Sequence, residues 1–249
     1  MINPRFVESG STSLANEWVT FSRLHALMFW RQKLLYSWVP GKHVRNIKKT
    51  LFKENGLSEG WPESTYDIND ALFAASPRDV AESNHSLAVL HHPASRAMEI
   101  PISLAENRDN CANTWQEMTG RDWGEYTLKE LIQELSKRKD LLIASHWWCP
   151  QEYCLYLHVD SYTKTFRAED QDGIAWWLGE NGIQVIRNDE KPETINPNEL
   201  AEGGELKGNS LRDIVANNRV NEWRQILDIE TYDLIQGLYE KDAIIYGNA

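Results

Sequence analysis

Two short apolar runs, each ended by turn residues and followed by a helical pattern, limit what this chain can fold into. Residues 33–39 (KLLYSWV) end at Pro40 and Gly41, and residues 86–90 (SLAVL) end at a His-His-Pro turn. Continuous apolar runs of this length are typical of strands that are buried on both faces. Because helical patterns separate them, the sequence predicts an α/β protein with a mainly parallel central sheet flanked by helices.

Further elements follow from the spacing of apolar residues and from helix-end signals. A third strand is predicted over residues 162–166. Helices are predicted over residues 14–29, 44–53, 69–75, 95–108, 127–138, 172–178, 210–223 and 231–239. Residues 1–32 are interpreted as an N-terminal helical extension, and residues 185–208, rich in Pro, Gly and Asn, as an exposed loop. No repeat or long linker is evident, which predicts one domain over residues 1–249.

Composition and net charge limit the kinds of partner that this chain is expected to bind. The 249 residues are 41% hydrophobic, which suits a large folded core, and 11 Trp predict an interior with apolar, Trp-lined walls. A net charge of −11 repels polyanions, so no nucleic-acid partner is expected. A small-molecule substrate is expected instead, and the oligomeric state is left open.

Targeting signals and the number of cysteines indicate the cellular compartment in which the protein is expected. Neither a secretory signal nor a run long enough to span a bilayer is evident, so a cytoplasmic protein without a membrane partner is expected. Three cysteines are too few for a disulfide scaffold and favour a reducing environment, although Cys149 and Cys154 could pair.

Residues 145–154 read Ser-His-Trp-Trp-Cys-Pro-Gln-Glu-Tyr-Cys and form the most specific motif of the chain. This segment is similar to the His-Trp-x-Pro-x-x-x-x-Cys stretch of the chondroitin-type carbohydrate sulfotransferases, with Cys149 as one extra residue before Pro150. In that family the stretch precedes a strand that ends in an acidic residue. Residues 162–169, which end in Glu169, match that segment.

Three other segments extend the resemblance over residues 33–247. Residues 87–105 are similar to the strand, turn and helix that carry the 3′-phosphate of the sulfate donor PAPS (3′-phosphoadenosine 5′-phosphosulfate). Residues 35–51 match the flanks of the family's 5′-phosphosulfate loop, and residues 239–242 match its closing Tyr-x-x-Asp. The resemblance implies a sulfotransferase-like fold of the P-loop type, with PAPS as the cofactor of an active member.

The first donor loop has lost most of the family's ligands. The family reads Pro-Lys-Val-Gly-Ser-Thr-Asn where residues 40–46 read Pro-Gly-Lys-His-Val-Arg-Asn. The degenerate donor loop comprises Pro40, Gly41, Lys42 and Val44. The bulky His43 stands where the family has its close-approach Gly, and Arg45 stands at the second hydroxyl position. Lys42 lies one place from the family's Lys, so only a local slip would bring it into use.

The second donor loop differs from the family's sequence as much as the first one does. The family reads Arg-Asp/His-Pro-x-x-Arg-x-x-Ser, and residues 91–99 read His-His-Pro-Ala-Ser-Arg-Ala-Met-Glu. His91 and Glu99 replace the Arg and Ser that bind the 3′-phosphate in the family, and only Arg96 survives. A carboxylate about 4 Å from a phosphate costs roughly 1 to 4 kcal/mol, depending on the local dielectric. The sequence therefore predicts that PAPS binding is lost.

A rival phosphate loop is the Gly-Ser-Thr-Ser-Leu string at residues 10–14. The family's Lys would then fall at Ser9 or Glu8, and the preceding strand would contain Pro4. A polar helix start capped by a serine is the favoured interpretation of this string, and the choice between the two loops stays open.

The candidate catalytic residues are His146, Glu99 and His91. His146 comes first because its motif resembles one near the sulfate acceptor in the family, and histidine exchanges protons near neutral pH. The other interpretation is a histidine bonded inside a Trp-rich core. The predicted substrate pocket comprises Trp147, Trp148, His43, Arg45, Arg96 and His92. No histidine spacing matches a zinc pattern, so no metal is predicted.

Three functions remain open on the sequence. The leading hypothesis is a repurposed enzyme that needs no cofactor and uses acid–base chemistry to isomerise or cyclise a small, largely apolar metabolite. The second is a PAPS-dependent sulfotransferase whose divergent donor site uses Lys42, Arg45 and Arg96. The third is a non-catalytic binding or scaffold relative.

Overall fold

A computed structural model describes residues 22–41, 44–57, 73–186, 195, 200, 208–217 and 223–249 of the chain. The chain folds as two compact units. Unit 1 contains Met1–His91, Gln151–Pro192 and Ile245–Ala249, and unit 2 contains His92–Pro150 and Glu193–Ile244. The sequence predicts one domain. The two units leave no linker signal in the sequence, because the chain passes from one unit to the other several times.

Among the described residues, the sheet lies in unit 1 and has four strands in the order β1-β2-β3-β4. The strands are β1 Ala26–Phe29, β2 Leu34–Ser37, β3 His85–Leu90 and β4 Lys164–Arg167. β2, β3 and β4 are parallel, and β1 is antiparallel to β2. The predicted mainly parallel sheet and its three strands are confirmed, with β4 starting two residues later than predicted.

The helix predicted over residues 14–29 is wrong for residues 26–29, which form β1. All four residues of β1 are buried, and the strand turns directly into β2 through Trp30 and Lys33. Lys33 adopts a φ of 52°, the left-handed conformation that tight turns require. The pairing of β1 with β2 identifies the segment as a strand, which the apolar run from Ala26 alone does not distinguish from a buried helix. Residues 14–21 lie outside the described part of the chain.

The helices run between and after the strands. In chain order they are α1 Val44–Glu54, α2 Pro77–Glu82, α3 Pro93–Ala97, α4 Ile100–Ala105, α5 Cys111–Thr119, α6 Leu128–Lys137, α7 Lys139–Leu142, α8 Gln171–Glu180, α9 Leu211–Ala216, α10 Trp223–Ile226, α11 Ile229–Leu238 and α12 Glu240–Gly247. The helices predicted over residues 44–53, 127–138, 172–178 and 231–239 are confirmed in position, and the one over residues 210–223 is found over Leu211–Ala216. The helix predicted over residues 69–75 is wrong at Ala74, which forms an antiparallel bridge with Leu27, and residues 69–72 lie outside the described part.

The helix predicted over residues 95–108 is interrupted, because α3 ends at Ala97 and α4 begins at Ile100. Pro101 lies in the first turn of α4, where its missing N–H breaks no helical hydrogen bond. By contrast, α6 matches its prediction: Thr127 and Glu130 form a reciprocal capping box at its start.

Helices α1 and α8 pack on one face of the sheet. The apolar core of unit 1 combines strand residues with one side of each helix: Leu27, Phe29, Leu34, Tyr36, Leu87, Val89 and Phe166 with Ile47, Leu51, Phe52, Ile174 and Leu178. On the other face, Ser37 Oγ accepts a 2.6 Å hydrogen bond from Tyr162 OH and a 3.5 Å bond from the Tyr156 N–H. The central strands are therefore covered on both sides, which explains their continuous apolar sequences.

Unit 2 has its own helical core around two fully buried tryptophans. The Trp115 ring meets Tyr126 and Trp148 edge to face, with centroids 5.3 and 5.8 Å apart. Ile195 and Leu200 are buried in this core, so the predicted exposed loop over residues 185–208 is wrong at these two positions. Not every tryptophan is a core residue, since Trp176 is 66% exposed.

Cys111, Cys149 and Cys154 are buried thiols that form no disulfide, so the pairing of Cys149 with Cys154 that the sequence left open does not occur. Burial raises the pKa of the Cys111 thiol to about 11. A thiol that stays protonated at neutral pH is a poor nucleophile, so Cys111 acts as a small apolar core residue.

Candidate functional site

The carboxyl ends of β2, β3 and β4 share one edge of the sheet, where open α/β folds bind ligands. Gly41 follows β2, His91 follows β3 and Glu169 follows β4. The prediction that the strands before Pro40 and His91 are inner neighbours, with their loops at the same end, is confirmed by their parallel pairing.

The His91 ring lies directly against Gly41. A Cβ built on Gly41 would stand 2.3 Å from His91 Cε1, far inside van der Waals contact. The amide of Gln151 fixes the backbone of His91: its Oε1 accepts from the His91 N–H, and its Nε2 donates to the His91 carbonyl, both at 2.8 Å. Gln151 and His91 are both buried, so the ring has little room to move aside. Any larger residue at position 41 would therefore force the His91 ring to shift.

We expect Gly41→Ala to lower the free energy of unfolding by about 1 to 3 kcal/mol, the usual cost of forcing an extra methyl into a packed site. His91→Ala in the same chain should remove most of that cost, because it removes the clashing ring. Urea unfolding of the two single variants and the double variant measures this coupling.

Gly179→Ala is the matched control, because nothing lies within 4 Å of the Cβ position at this helical glycine. Alanine should stabilise that helix slightly. Additive effects of Gly41→Ala and His91→Ala would contradict the packing of the ring on Gly41.

Glu169 is a half-buried carboxyl at the same sheet edge. Its Oε2 accepts a 3.0 Å hydrogen bond from Tyr246 OH. Burial raises the pKa of Glu169, and hydrogen bonds and the positive charge of Arg167 oppose that rise. Arg167 in turn donates to the carbonyls of Tyr246 and Gly247 at 3.2 and 2.9 Å. A carboxyl that holds its proton at higher pH than usual is a candidate acid or base.

The raised pKa of Glu169 predicts a pH dependence of stability. Between the ordinary pKa of glutamate and the raised folded-state value, the folded chain binds more protons than the unfolded chain, so this group makes stability fall as pH rises. Glu169→Gln keeps the size of the side chain but does not titrate, so its melting temperature relative to wild type should be higher at pH 7 than at pH 4. A constant difference across that range would contradict the shift.

Arg96 lies in unit 2 at the centre of a buried network. Its guanidinium donates to the carbonyl of Cys149 and, at 2.7 Å, to that of His146. It also lies 3.7 Å from Asp242, and these two side chains are only 4% and 1% exposed. Arg96 was predicted as part of a substrate pocket, but this burial gives it a structural role: it joins residues 146–149 to the C-terminal helix.

Tyr239 and Trp148 complete the network. Tyr239 OH donates to the Trp148 carbonyl at 2.6 Å, and Trp148 Nε1 donates to the Leu141 carbonyl at 2.7 Å. Burial raises the pKa of Tyr239, which keeps its hydroxyl protonated and able to donate. Trp148, predicted as a pocket wall, is fully buried in the core of unit 2. Its ring packs on Trp115 and its N–H is bonded inside the fold.

His146 and Asp109 form a partly exposed pair in unit 2. His146 Nε2 lies 2.9 Å from Asp109 Oδ2, and the His146 side chain is 21% exposed. The same Asp109 oxygen accepts from Trp147 Nε1 at 2.9 Å, and the Trp147 ring lies 5.2 Å from the imidazole. A histidine oriented by a carboxylate and reachable from solvent can transfer protons.

The turn that carries Asp109 has an unusual backbone. Asn107, Asp109 and Asn110 adopt φ values of 47°, 48° and 63°, in the left-handed region that non-glycine residues rarely occupy. Arg108, between them, places its guanidinium 4.8 Å from the centre of the Trp147 ring. Clustered residues in this region are characteristic of functional turns, because the rest of the fold must hold them there.

The remaining predicted site residues lie in several different parts of the structure. His92 caps α3, with its Nδ1 accepting from the Ala94 N–H at 3.2 Å. Glu99 is half-buried at the junction of α3 and α4, and Arg45 is exposed on α1. Pro40 is buried after β2. Lys42 and His43 lie outside the described part of the chain, as do the Val44 side chain and the rival loop at residues 10–14.

Sequence reasoning missed Asp109, Gln151 and Glu169. Asp109 is distant in sequence from His146, and a polar Asn-Arg-Asp-Asn string has no spacing that points to a histidine. Gln151 lies inside the predicted motif, but nothing in the sequence shows that its amide pairs with the backbone of His91. Glu169 was visible as the acidic end of the strand segment and could have been singled out.

A cavity of about 290 Å³ lies beside β4 in unit 1. Most of its lining residues are polar: Asp160, Tyr162, Thr163, Lys164, Thr165 and Asn248, with Val159 and Ile245. This lining is polar, unlike the apolar pocket that the sequence predicts, and it includes none of the predicted site residues.

Within the described ranges, no helix is both long and apolar enough to cross a bilayer, and no three His, Cys, Asp or Glu side chains are grouped as metal ligands would be. A comparison of the chain with protein-family models, curated proteins and solved structures finds no match.

Proposed function

We propose that this chain has a sulfotransferase-like fold, has lost PAPS binding, and acts without a donor as an acid–base enzyme on a small, largely apolar molecule. The reaction class is an isomerisation or cyclisation, in which the substrate gains one proton and loses another. The product then has the mass of the substrate, and no cofactor is consumed. The observation that carries the proposal is the contact of His146 Nε2 with Asp109 Oδ2 at 2.9 Å.

The convergence of three motif segments supports the sulfotransferase-like fold. Arg96 of the second donor loop, the carbonyls of His146 and Cys149 in the His-Trp motif, and Asp242 of the closing Tyr-x-x-Asp meet in one buried network. If the resemblance of these segments to one family were a coincidence, there would be no reason for them to contact one another. Their contacts therefore favour a real relationship.

The packing of His91 on Gly41 supports the loss of PAPS. In the sulfotransferases that the chain resembles, these two positions are a Lys and an Arg that bind the donor. Here the His91 ring fills the space that a side chain at position 41 would need. Arg96 is already paired with Asp242, so its charge is largely neutralised within unit 2. These residues do not fit a nucleotide with two phosphate groups.

The His146 pair supports the catalytic part. The carboxylate of Asp109 lies 2.9 Å from one ring nitrogen and restricts the position of the imidazole, and the other ring nitrogen can accept or donate a proton. The Trp147 ring beside it offers an apolar, electron-rich face that suits a cationic intermediate. The −11 net charge disfavours an anionic substrate.

The test is to incubate the protein, without PAPS, with a panel of uncharged unsaturated molecules that carry an epoxide, a carbonyl or an alkene. We expect an isomeric product of equal mass and different retention time, and in D₂O a product that contains solvent deuterium. Products formed only when PAPS is added would support the sulfotransferase alternative. Unchanged substrates throughout the panel would favour a scaffold.

A further inference from the structure

The cavity beside β4 follows an edge of the sheet. Thr163 and the first two residues of β4, Lys164 and Thr165, all line it. Because successive side chains of a strand point to opposite faces, a cavity that meets consecutive residues runs along the backbone rather than over one face. β3 occupies one edge of β4, and within the described ranges no strand pairs with the other edge. The cavity therefore lies beside the edge of β4 opposite β3.

Thr165 presents its backbone to this edge. In a parallel ladder, alternate residues of a strand direct both the N–H and the C=O to the same neighbour. The Ala168 N–H donates to the Leu90 carbonyl at 2.8 Å, so Ala168 faces β3. Counting back by twos along the register, Phe166 and Lys164 also face β3. The backbone donor and acceptor of Thr165 therefore point away from β3, on the side of the cavity that this residue lines.

The chemistry of this edge selects an uncharged ligand of the amide type. A backbone donor and acceptor on one residue pair with a carbonyl and an N–H of a neighbouring extended chain, as in strand addition to a sheet edge. The lining includes one acidic residue, Asp160, and one basic residue, Lys164, so neither an anion nor a cation is favoured. The volume of about 290 Å³ equals the share of about ten liquid waters, which suits a ligand of about ten non-hydrogen atoms.

We propose that the cavity beside β4 binds a small uncharged diamide with the geometry of one extended peptide residue. A ligand carbonyl accepts from the Thr165 N–H, and a ligand N–H donates to the Thr165 C=O. The ligand class is a blocked amino acid or a similarly short peptide. The site goes beyond the acid–base function proposed above and does not depend on it, because His146 and Asp109 belong to unit 2.

The test is a titration of ¹⁵N-labelled protein with N-acetylglycine N-methylamide, followed by NMR. Methyl acetoxyacetate is the control compound, because it has the same number of non-hydrogen atoms and both carbonyls but carries oxygen in place of each N–H. We expect saturable shifts of the Thr165 and Phe166 backbone amides with the diamide and a dissociation constant of about 10 mM or lower, ordinary for so small a ligand. The diester should bind about 3- to 10-fold more weakly, since it cannot donate to the Thr165 C=O.

Hydrogen exchange tests the orientation of the edge without any variant. Before ligand is added, we expect the Thr165 amide to exchange much faster than the Phe166 amide, because only the Phe166 amide is bonded to β3. The diamide should slow exchange at Thr165. Equal protection of the two amides in the absence of ligand would overturn the assigned orientation and the site with it.

Thr165→Pro and Thr165→Ala form a matched pair of variants. Proline removes the N–H that faces the cavity but breaks no bond to β3, and edge strands tolerate proline at such positions, so the fold should persist. Proline should weaken diamide binding about 3- to 10-fold, measured at the Phe166 amide, whereas alanine keeps the N–H and should bind as wild type does. Melting temperatures check that both variants fold. Absence of a saturable shift, equal affinity for diamide and diester, or equal affinity of the two variants would overturn the site.

Discussion

Replacing Arg96 by methionine is expected to lower the free energy of unfolding by about 3 to 5 kcal/mol. Methionine is unbranched like the stem of arginine, although shorter, and it leaves the carboxylate of Asp242 buried without the Arg96 cation. Loss of one partner of a buried ion pair has a cost of this size. The carbonyls of His146 and Cys149 also lose their donor. Urea unfolding measures the change.

Two further variants separate the ion pair from general damage. Arg78→Met removes an exposed pair with Glu82 and should leave unfolding nearly unchanged. Arg96→Met combined with Asp242→Leu should recover part of the loss, because no charge is then left buried. A loss below about 1 kcal/mol for Arg96→Met would show that Arg96 is not the central link of unit 2.

Replacing His146 by alanine is expected to cut turnover of the proposed substrate by roughly 10²- to 10⁴-fold, the usual contribution of a positioned acid or base. The fold should persist, because this side chain is partly exposed. Asp109→Asn should also lower turnover, because it removes the carboxylate charge beside the imidazole. Product formation over time measures both effects, with melting temperature as the check on folding.

His158 supplies the matched control for His146. It forms a similar pair with Asp160 at 3.4 Å, but both side chains are more than half exposed and lie in unit 1. His158→Ala should therefore leave turnover unchanged. Equal turnover rates for His146→Ala and wild type would show that His146 takes no part in the mechanism. Glu169 would then be the next candidate for the acid or base.

The sheet was predictable because its strands are buried on both faces, which gives unbroken apolar runs that end at turn residues. β1 was misassigned because a run such as Ala26–Phe29 fits a buried helix as well as a strand, and only the pairing with β2 decides between them. The interruption at Met98 follows from Pro101, which was visible in the sequence but was given too little weight.

The candidate site was predictable only in part. His146 was found through its motif, but Asp109 and Trp147 meet through a turn whose left-handed residues leave no simple sequence pattern. His91 packs on Gly41 because parallel strands bring these two positions together. The sequence alone therefore does not show why Gly stands at position 41 or His at position 91. The structural role of Arg96 depends on Asp242, which is far away in the sequence.

The most direct test of the central claim, that this chain no longer binds the sulfate donor, is a calorimetric titration with PAPS and with its desulfated product at moderate ionic strength. Because the His91 ring fills the space beside Gly41 and Arg96 is already paired with Asp242, we expect no saturable heat below about 100 μM. The same titration of a PAPS-dependent sulfotransferase is the positive control. A dissociation constant in the low micromolar range, about −8 kcal/mol, would contradict the account and make the chain a sulfotransferase.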